Sequence, residues 1–412
     1  MGITRHIAPH SRGKNKLDQI FVCSGKAKKA ISEFGQDAVV NSTIGALLDD
    51  NNNLALLPAV EEASKRLTSE QIAPYAPVAG LPEFREDVIN YLYEGVDNRP
   101  PLGSVATSGA TGAIRIAVWD LLEEGDSVVT HDNYWSPYSS IVEDCNRKFV
   151  TFETFLADGS FNVAGALESV EQSLANRDRV LLLLNTPCHN PTGCSLSEGE
   201  LQHLQKGLTA IADANPHKIV NLLIDAAYWE FGDLELNTKL LKTFSDVPDN
   251  MLFCVAFTMS KSLTRYGFRT GALVFSTKDQ KAVNDVAQVL GASIRVHWSN
   301  TCRLGQVLFS TIFRDEKLRA QLKVDQAHFS QLCKTRGEIF VKEALEAGLS
   351  HTPFRGGFFL TLPTEHAVEV VDRLMEEKIF VVPMSKGVRV ALCSIPTHQM
   401  HGLAARIKKV FF

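Results

Sequence analysis

The chain has 412 residues, 45% hydrophobic and 22% charged, with a net charge of -5. That length exceeds what one hydrophobic core usually fills, and it predicts two domains or a large domain with a satellite. A slightly acidic chain without low-complexity tracts excludes nucleic acid and anionic membrane as expected partners, and no apolar run approaches a membrane span.

In chain order, residues 1–17 carry Arg5, Arg12, Lys14 and Lys16 and no acid, which reads as a mobile arm or a transit peptide. The Met1-Gly2 start has His6 where myristoylation needs Ser or Thr. Eight cysteines are scattered without a CxxC pair, several in apolar runs such as that of Cys254. They predict buried free thiols in a reducing compartment and a cytoplasmic protein, with no metal site. From about residue 105, short apolar runs alternate with amphipathic stretches: helical "GAIRIAVWDLL" (112–122), then "SVVTHD", "RVLLLLNTP", "VNLLIDAAY", "MLFCVAFTMS" and "GALVF". Near-continuous apolar runs of this length suit strands buried on both faces, so a largely parallel sheet between helices is expected. A long periodic, charged segment from Leu318 to Leu349 predicts one long helix or two, bridging to a smaller C-terminal unit. Beyond it, "GGFFLTLP", helical "AVEVVDRLMEE", strand-like "IFVVP" and "VRVALC", and a final helix to Val410 make a smaller unit. The division expected is 1–50 as an N-terminal arm joining the small domain, 51–320 as the large domain and 321–412 as the small one.

Ligands in open α/β sheets bind beyond the carboxyl ends of the strands. Three successive apolar runs end there in polar residues: Asn185 with His189 and Asn190, then Asp225 with Tyr228, then Thr258 with Ser260 and Lys261. An amine that attacks a carbonyl needs a depressed pKa, which burial or a neighbouring cation supplies. The hydroxyls around Lys261, with Arg269 eight positions on, suit a phosphate, and the glycine-rich "TSGATGAIR" offers a second phosphate cradle at a helix start. Asp225 at a strand end suits a protonated pyridine nitrogen. Phosphate, carbonyl and pyridinium together describe pyridoxal phosphate.

"CHNPTG" (188–193), "DAAYWEF" (225–231), "TMSKSLTRYGFRTGA" (258–272) and "VRVALCSIP" (388–396) resemble the fold-type-I pyridoxal-phosphate aminotransferases of class I/II, nearest the aspartate/aromatic branch. The similarity runs in order from about Asn41 to the C-terminus. It implies an α/β protein with a three-layer α/β/α large domain around a mostly parallel seven-stranded sheet, plus a smaller α+β domain. Lys261 then looks like the lysine that carries the cofactor as an aldimine, Asp225 the partner of the pyridinium nitrogen, and Tyr228 and Asn190 the donors to the cofactor's phenolic oxygen. The phosphate would lie on Ala110, Thr111, Thr258, Ser260 and Arg269, with Tyr75 reaching it from the neighbouring subunit, and Trp135 would stack on the ring. Arg389 would grip the substrate α-carboxylate, Gly45 would let backbone approach it, and Phe358 would wall the site. Arg295 would be contributed across a homodimer to a distal carboxylate. The resemblance therefore implies amino-group transfer between an L-amino acid, aspartate or aromatic, and 2-oxoglutarate by a ping-pong cycle.

Departures from the family pattern are Ala110 for a usual glycine, Tyr138 for a histidine backing the ring-binding aspartate, and "ALLDD" after Gly45. Two alternatives stand beside the transaminase: a lyase or decarboxylase on the same fold, and a cofactor-binding regulatory protein. Taken singly, Lys261 also reads as a turn lysine, Arg269 as an ion pair, Arg295 as a helix-end residue, and Trp135, Phe358 and Tyr75 as ordinary aromatics. Arg265 is expected to face solvent.

Overall fold

The computed structural model describes residues 6–11, 14 and 18–411. Of the basic N-terminal residues, Arg5, Arg12 and Lys16 lie outside the described residues, as does the Met1-Gly2 start, while Lys14 pairs with Asp144. Asp18 caps a 16-residue helix, α1 (Gln19–Phe34), accepting from Ile20 N at 2.8 Å. Its buried Cys23 and Ala27 pack into the smaller unit.

After the short β1 (Val40–Asn41), seven strands make the main sheet: β2 (Leu102–Thr107), β3 (Ser127–His131), β4 (Lys148–Phe152), β5 (Arg179–Asn185), β6 (Ile219–Asp225), β7 (Met251–Thr258) and β8 (Gly271–Ser276). Their order is β2-β8-β7-β6-β5-β3-β4. All neighbours run parallel except β8, which is antiparallel to both β2 and β7. The apolar runs become strands because both faces are covered: all eight positions of β7 are buried. On one face the inward residues of β5–β7 pack with Leu204 and Leu208 of the helix Glu198–Ala214. On the other they meet Ile114 and Val118 of α2 (Gly109–Leu121) and Leu290 of α3 (Gln280–His297). This is the α/β/α arrangement expected.

The periodic charged segment forms one helix, α4 (Glu316–Glu346), started by Asp315, which accepts from the backbone of Lys317 and Leu318 at 2.9 and 3.0 Å. At roughly 45 Å long it joins two cores, with Leu318 and Leu322 in the large one and Phe340 and Ala344 in the small one. The smaller unit holds an antiparallel sheet of β9 (Phe359–Pro363), β11 (Val382–Met384) and β12 (Gly387–Ala391), beside β10 (Ile379–Phe380), which pairs parallel with β1. The single strand read in "IFVVP" is thus divided between two sheets. The final helix is likewise interrupted, into Thr397–Met400 and Leu403–Lys408, because Gly402 adopts φ 76° between them. Among the described residues no helix is long and apolar enough to cross a membrane.

Candidate active site

Asn185, Asp225 and Thr258 are the last residues of β5, β6 and β7. Parallel register sets Asn185 beside Asp225, and Asp225 beside Ala256, so these ends lie level. Beyond them is a cavity of about 480 Å³ between the main sheet and the smaller unit. Thirteen residues singled out in the sequence line it: Gly45, Ala110, Thr111, Trp135, Asn185, Asn190, Asp225, Tyr228, Thr258, Ser260, Lys261, Arg269 and Arg389. Tyr75, Arg295 and Phe358 do not line it. Tyr75 is 88% exposed, and Arg295 is exposed on α3, donating to Ser299 Oγ at 2.6 Å. Phe358 is fully buried behind Tyr228, ring centroids 5.2 Å apart, and its neighbour Phe359 lines the cavity instead.

At one end sits an anion cradle. The N-terminus of α2 has no side-chain cap, which leaves its first N–H groups to a ligand. Thr258 Oγ1 accepts from Ser260 N at 3.2 Å, and Arg269 donates to Ser260 Oγ at 3.2 Å and to Tyr266 O at 3.0 Å. Gly109, at φ 68°, completes the cradle: a Cβ there would stand 2.9 Å from Arg269 Nη2. Arg265 does not face solvent as expected; its side chain is 10% exposed and pairs with Glu61, because the turn after Lys261 folds onto the helix Pro58–Lys65.

Lys261 Nζ donates to Gly45 O at 2.7 Å and lies 4.5 Å from the centre of the Tyr266 ring. Burial pulls its ammonium down to about 8, and Arg389 and Arg269 push the same way. Burial raises the Asp225 carboxyl to about 6, against two opposing hydrogen bonds: Tyr138 OH to Oδ2 at 2.5 Å and Ala227 N to Oδ1 at 3.1 Å. The phenol therefore stands where the family often has histidine. Because a phenol stays protonated far above neutrality, it donates to Asp225 across the working pH range. Tyr138→Phe removes one charge-assisted bond of about 1.5–3 kcal/mol. The acid limb of kcat/KM is expected to move up by about one to two pH units in a pH–rate profile.

Arg389, 2% exposed, is held by Thr43 O at 2.8 Å and Asn190 Oδ1 at 3.3 Å, over the Phe359 ring at 4.4 Å. Its Nε has no hydrogen-bond partner among the described residues, and the residue borders the cavity, which suits a planar guanidinium to an incoming carboxylate. Gly45 is needed at this wall, since a Cβ would lie 2.5 Å from Phe359 Cζ. The sequence did not single out Tyr266, whose hydroxyl accepts from Leu47 N at 2.8 Å, nor Phe359, nor Ile20 and Phe21 at the start of α1. Tyr266 stands five residues after Lys261 in the segment already quoted. The α1 pair carried no local signal, because its helix reaches the cavity only through the packing of the smaller unit.

The aminotransferase class I and II profile matches residues 37–407. The chain belongs to that family. It is 26% identical over 366 residues to the tyrosine aminotransferase of Klebsiella pneumoniae, covering 85% of this chain and 88% of that one. An aminotransferase of Anaerococcus prevotii has a similar structure, with a TM-score of 0.95 and 34% identity over 98% and 99% of the two chains. The aromatic-amino-acid aminotransferase of Burkholderia pseudomallei, covalently bound to pyridoxal phosphate, shares the fold with a TM-score of 0.77, 22% identity, and coverage of 96% and 98%. This aminotransferase is pyridoxal-phosphate-dependent, and its residues fit that cofactor. The uncapped helix start, two hydroxyls and Arg269 suit the phosphate. Asp225 suits a ring nitrogen, and Lys261 offers a buried amine easily made neutral. Neither a lyase nor a regulatory role is favoured.

Proposed function

We propose that the enzyme moves an amino group between an L-amino acid, aspartate or aromatic, and 2-oxoglutarate, and that the cavity described above is where it does so. The observation that carries this is a half-buried lysine with a lowered pKa and a fully buried arginine lining one cavity with Asp225 and the anion cradle. Pyridoxal phosphate, when bound, supplies the aldehyde that captures the substrate amine and a ring that withdraws electrons from the bonds at Cα. Ala110, Thr111, Thr258, Ser260 and Arg269 would hold its phosphate. Asp225, which accepts from Tyr138, would pair with the ring nitrogen. Tyr228 and Asn190, 3.5 Å apart, would hydrogen-bond its phenolic oxygen, and Trp135 would stack on the ring. Arg389 fixes the substrate carboxylate and so orients Cα toward Lys261 Nζ, which takes the Cα proton and returns it.

The substrate's outer end meets Ile20, Phe21, Ile44 and Ala46 from this chain, an apolar set that suits an aromatic side chain. A distal carboxylate needs a cation from elsewhere. We assign it to Arg295 of a second copy in a homodimer, which also brings Tyr75 to the phosphate. Tyr75 and Val296, 88% and 84% exposed, support such an interface. All eight cysteines are free, which supports a cytoplasmic setting.

Amino-donor assays with 2-oxoglutarate test the substrate assignment. In Arg295→Leu, kcat/KM for aspartate is expected to fall by about 10²-fold or more, the loss of a charge-assisted pair, while that for phenylalanine changes severalfold. Equal losses on both substrates would refute the role of Arg295.

A further inference from the structure

Tyr266, in the short turn Tyr266–Phe268 that follows Lys261, lines the active-site cavity. Three parts of this residue meet three different parts of the site. Its carbonyl accepts from Arg269 Nη1 at 3.0 Å, which ties it to the anion cradle. Its ring centre lies 4.5 Å from Lys261 Nζ, nearer than the rings of Phe358 at 5.7 Å and Tyr228 at 5.9 Å. Its hydroxyl accepts from Leu47 N at 2.8 Å. Burial holds the phenol well above its usual range, so that oxygen stays neutral.

The hydroxyl contact governs one wall of the cavity. Leu47 is fully buried, and a buried N–H deprived of its acceptor is costly. Beyond Leu47 the segment is held independently. Leu48 N donates to Cys393 O at 3.0 Å, and fully buried Arg336 of α4 donates to Leu48 O at 2.9 Å and to Asp50 Oδ1 at 2.8 Å. The unusual "ALLDD" is thus a segment clamped at its far end by Arg336, while Tyr266 sets the near end, where Gly45 and Ala46 line the cavity. The ring contact acts on the amine. An ammonium over an aromatic face is attracted by the ring's quadrupole, more strongly where water is excluded. Lys261 Nζ also donates to Gly45 O at 2.7 Å, so the amine stands between a carbonyl and a ring that are tied together through Leu47. The other titratable or charged groups acting on it are Asp225, Tyr228, Cys393, Arg389 and Arg269, and a side-chain change at Tyr266 removes none of them.

We propose that Tyr266 is a positioning residue for the reaction: its ring supports the ammonium of Lys261, and its hydroxyl fixes the Gly45–Leu47 wall of the substrate cavity. The role of the ring requires only that Lys261 engage the cofactor. The role of the hydroxyl rests on the proposed amino transfer in this cavity.

Two variants separate these roles. Tyr266→Leu removes the ring, and the pH midpoint for uptake of pyridoxal phosphate by the cofactor-free chain, followed by absorbance, is expected to fall by about half a unit to one unit. Tyr266→Phe keeps the ring and should leave that midpoint at the wild-type value. Its loss of the Leu47 acceptor is expected instead to raise KM for amino donors about threefold to tenfold, with kcat changed less. A midpoint unchanged or raised in Tyr266→Leu, or lowered equally in Tyr266→Phe, would overturn the role of the ring. An unchanged KM in Tyr266→Phe would overturn the role of the hydroxyl. Midpoints as expected in a wild-type enzyme that transfers no amino group would overturn the substrate reading, and the hydroxyl's role with it, while supporting the role of the ring.

Discussion

Lys261→Ala is expected to lower kcat/KM by at least about 10⁴-fold with every donor, because under the proposed function it removes both the amine that engages the cofactor aldehyde and the base at Cα. The loss should not be one of folding. Its amine makes one hydrogen bond, to Gly45 O, and the short helix Met259–Ser262 is also held by Gln326 on Ser262 O and by Ser262 Oγ on Thr258 O. Melting temperature should therefore change little while turnover disappears. A pH dependence accompanies this. Only the neutral amine attacks an aldehyde, and burial places the Lys261 ammonium at about 8 in the cofactor-free chain. The rate at which cofactor-free protein takes up pyridoxal phosphate should climb about tenfold per pH unit below 8 and level off above it. An ordinary lysine would still be climbing at pH 10.

Arg389→Leu is the second large effect, expected to cost about 10²–10³-fold in kcat/KM for all substrates alike. The guanidinium is buried and already oriented by Thr43 O and Asn190 Oδ1, so a substrate carboxylate meets a donor that needs no rearrangement. Arg389→Lys keeps the charge but loses the planar fork and the packing over Phe359, and should recover only part of the loss. Steady-state kinetics with aspartate and phenylalanine check it: Arg389 variants should lose both, whereas Arg295→Leu should separate them. That contrast distinguishes a grip on the part common to all amino acids from a grip on the part that differs.

The floor of the site was legible because sheet geometry does the arranging. Apolar runs long enough to be buried on both faces become parallel strands, and the polar residues that follow Leu184, Ile224 and Phe257 must then emerge side by side. Lys261, Asp225, Asn190 and Arg389 could be named from such positions and from the motifs around them. What could not be read depends on contacts between distant segments. Ile20 and Phe21 reach the cavity only because α1 docks on the smaller unit, and nothing in "QIFVCSGKAKK" announces a ligand. The choice between Phe358 and Phe359 turns on the phase of one strand: Phe359 opens β9 opposite Ala391, while Phe358 precedes it and is buried against Tyr228 and Phe231. Arg265 looked solvent-exposed because its partner, Glu61, lies some two hundred residues away in sequence. Tyr75 and Arg295 belong, in the reading above, to a neighbour's cavity, which a single chain cannot display.

The central claim, that this cavity carries amino transfer through Lys261, is tested most directly by omitting the acceptor. Cofactor-loaded enzyme mixed with excess phenylalanine or aspartate, and no 2-oxo acid, should release one equivalent of the corresponding 2-oxo acid per chain and then stop, with the amino group retained and no ammonia formed. Adding 2-oxoglutarate should restart it, and Lys261→Ala should release none. Continuous release of ammonia or carbon dioxide without an acceptor, or one full equivalent from Lys261→Ala at the wild-type rate, would contradict the account.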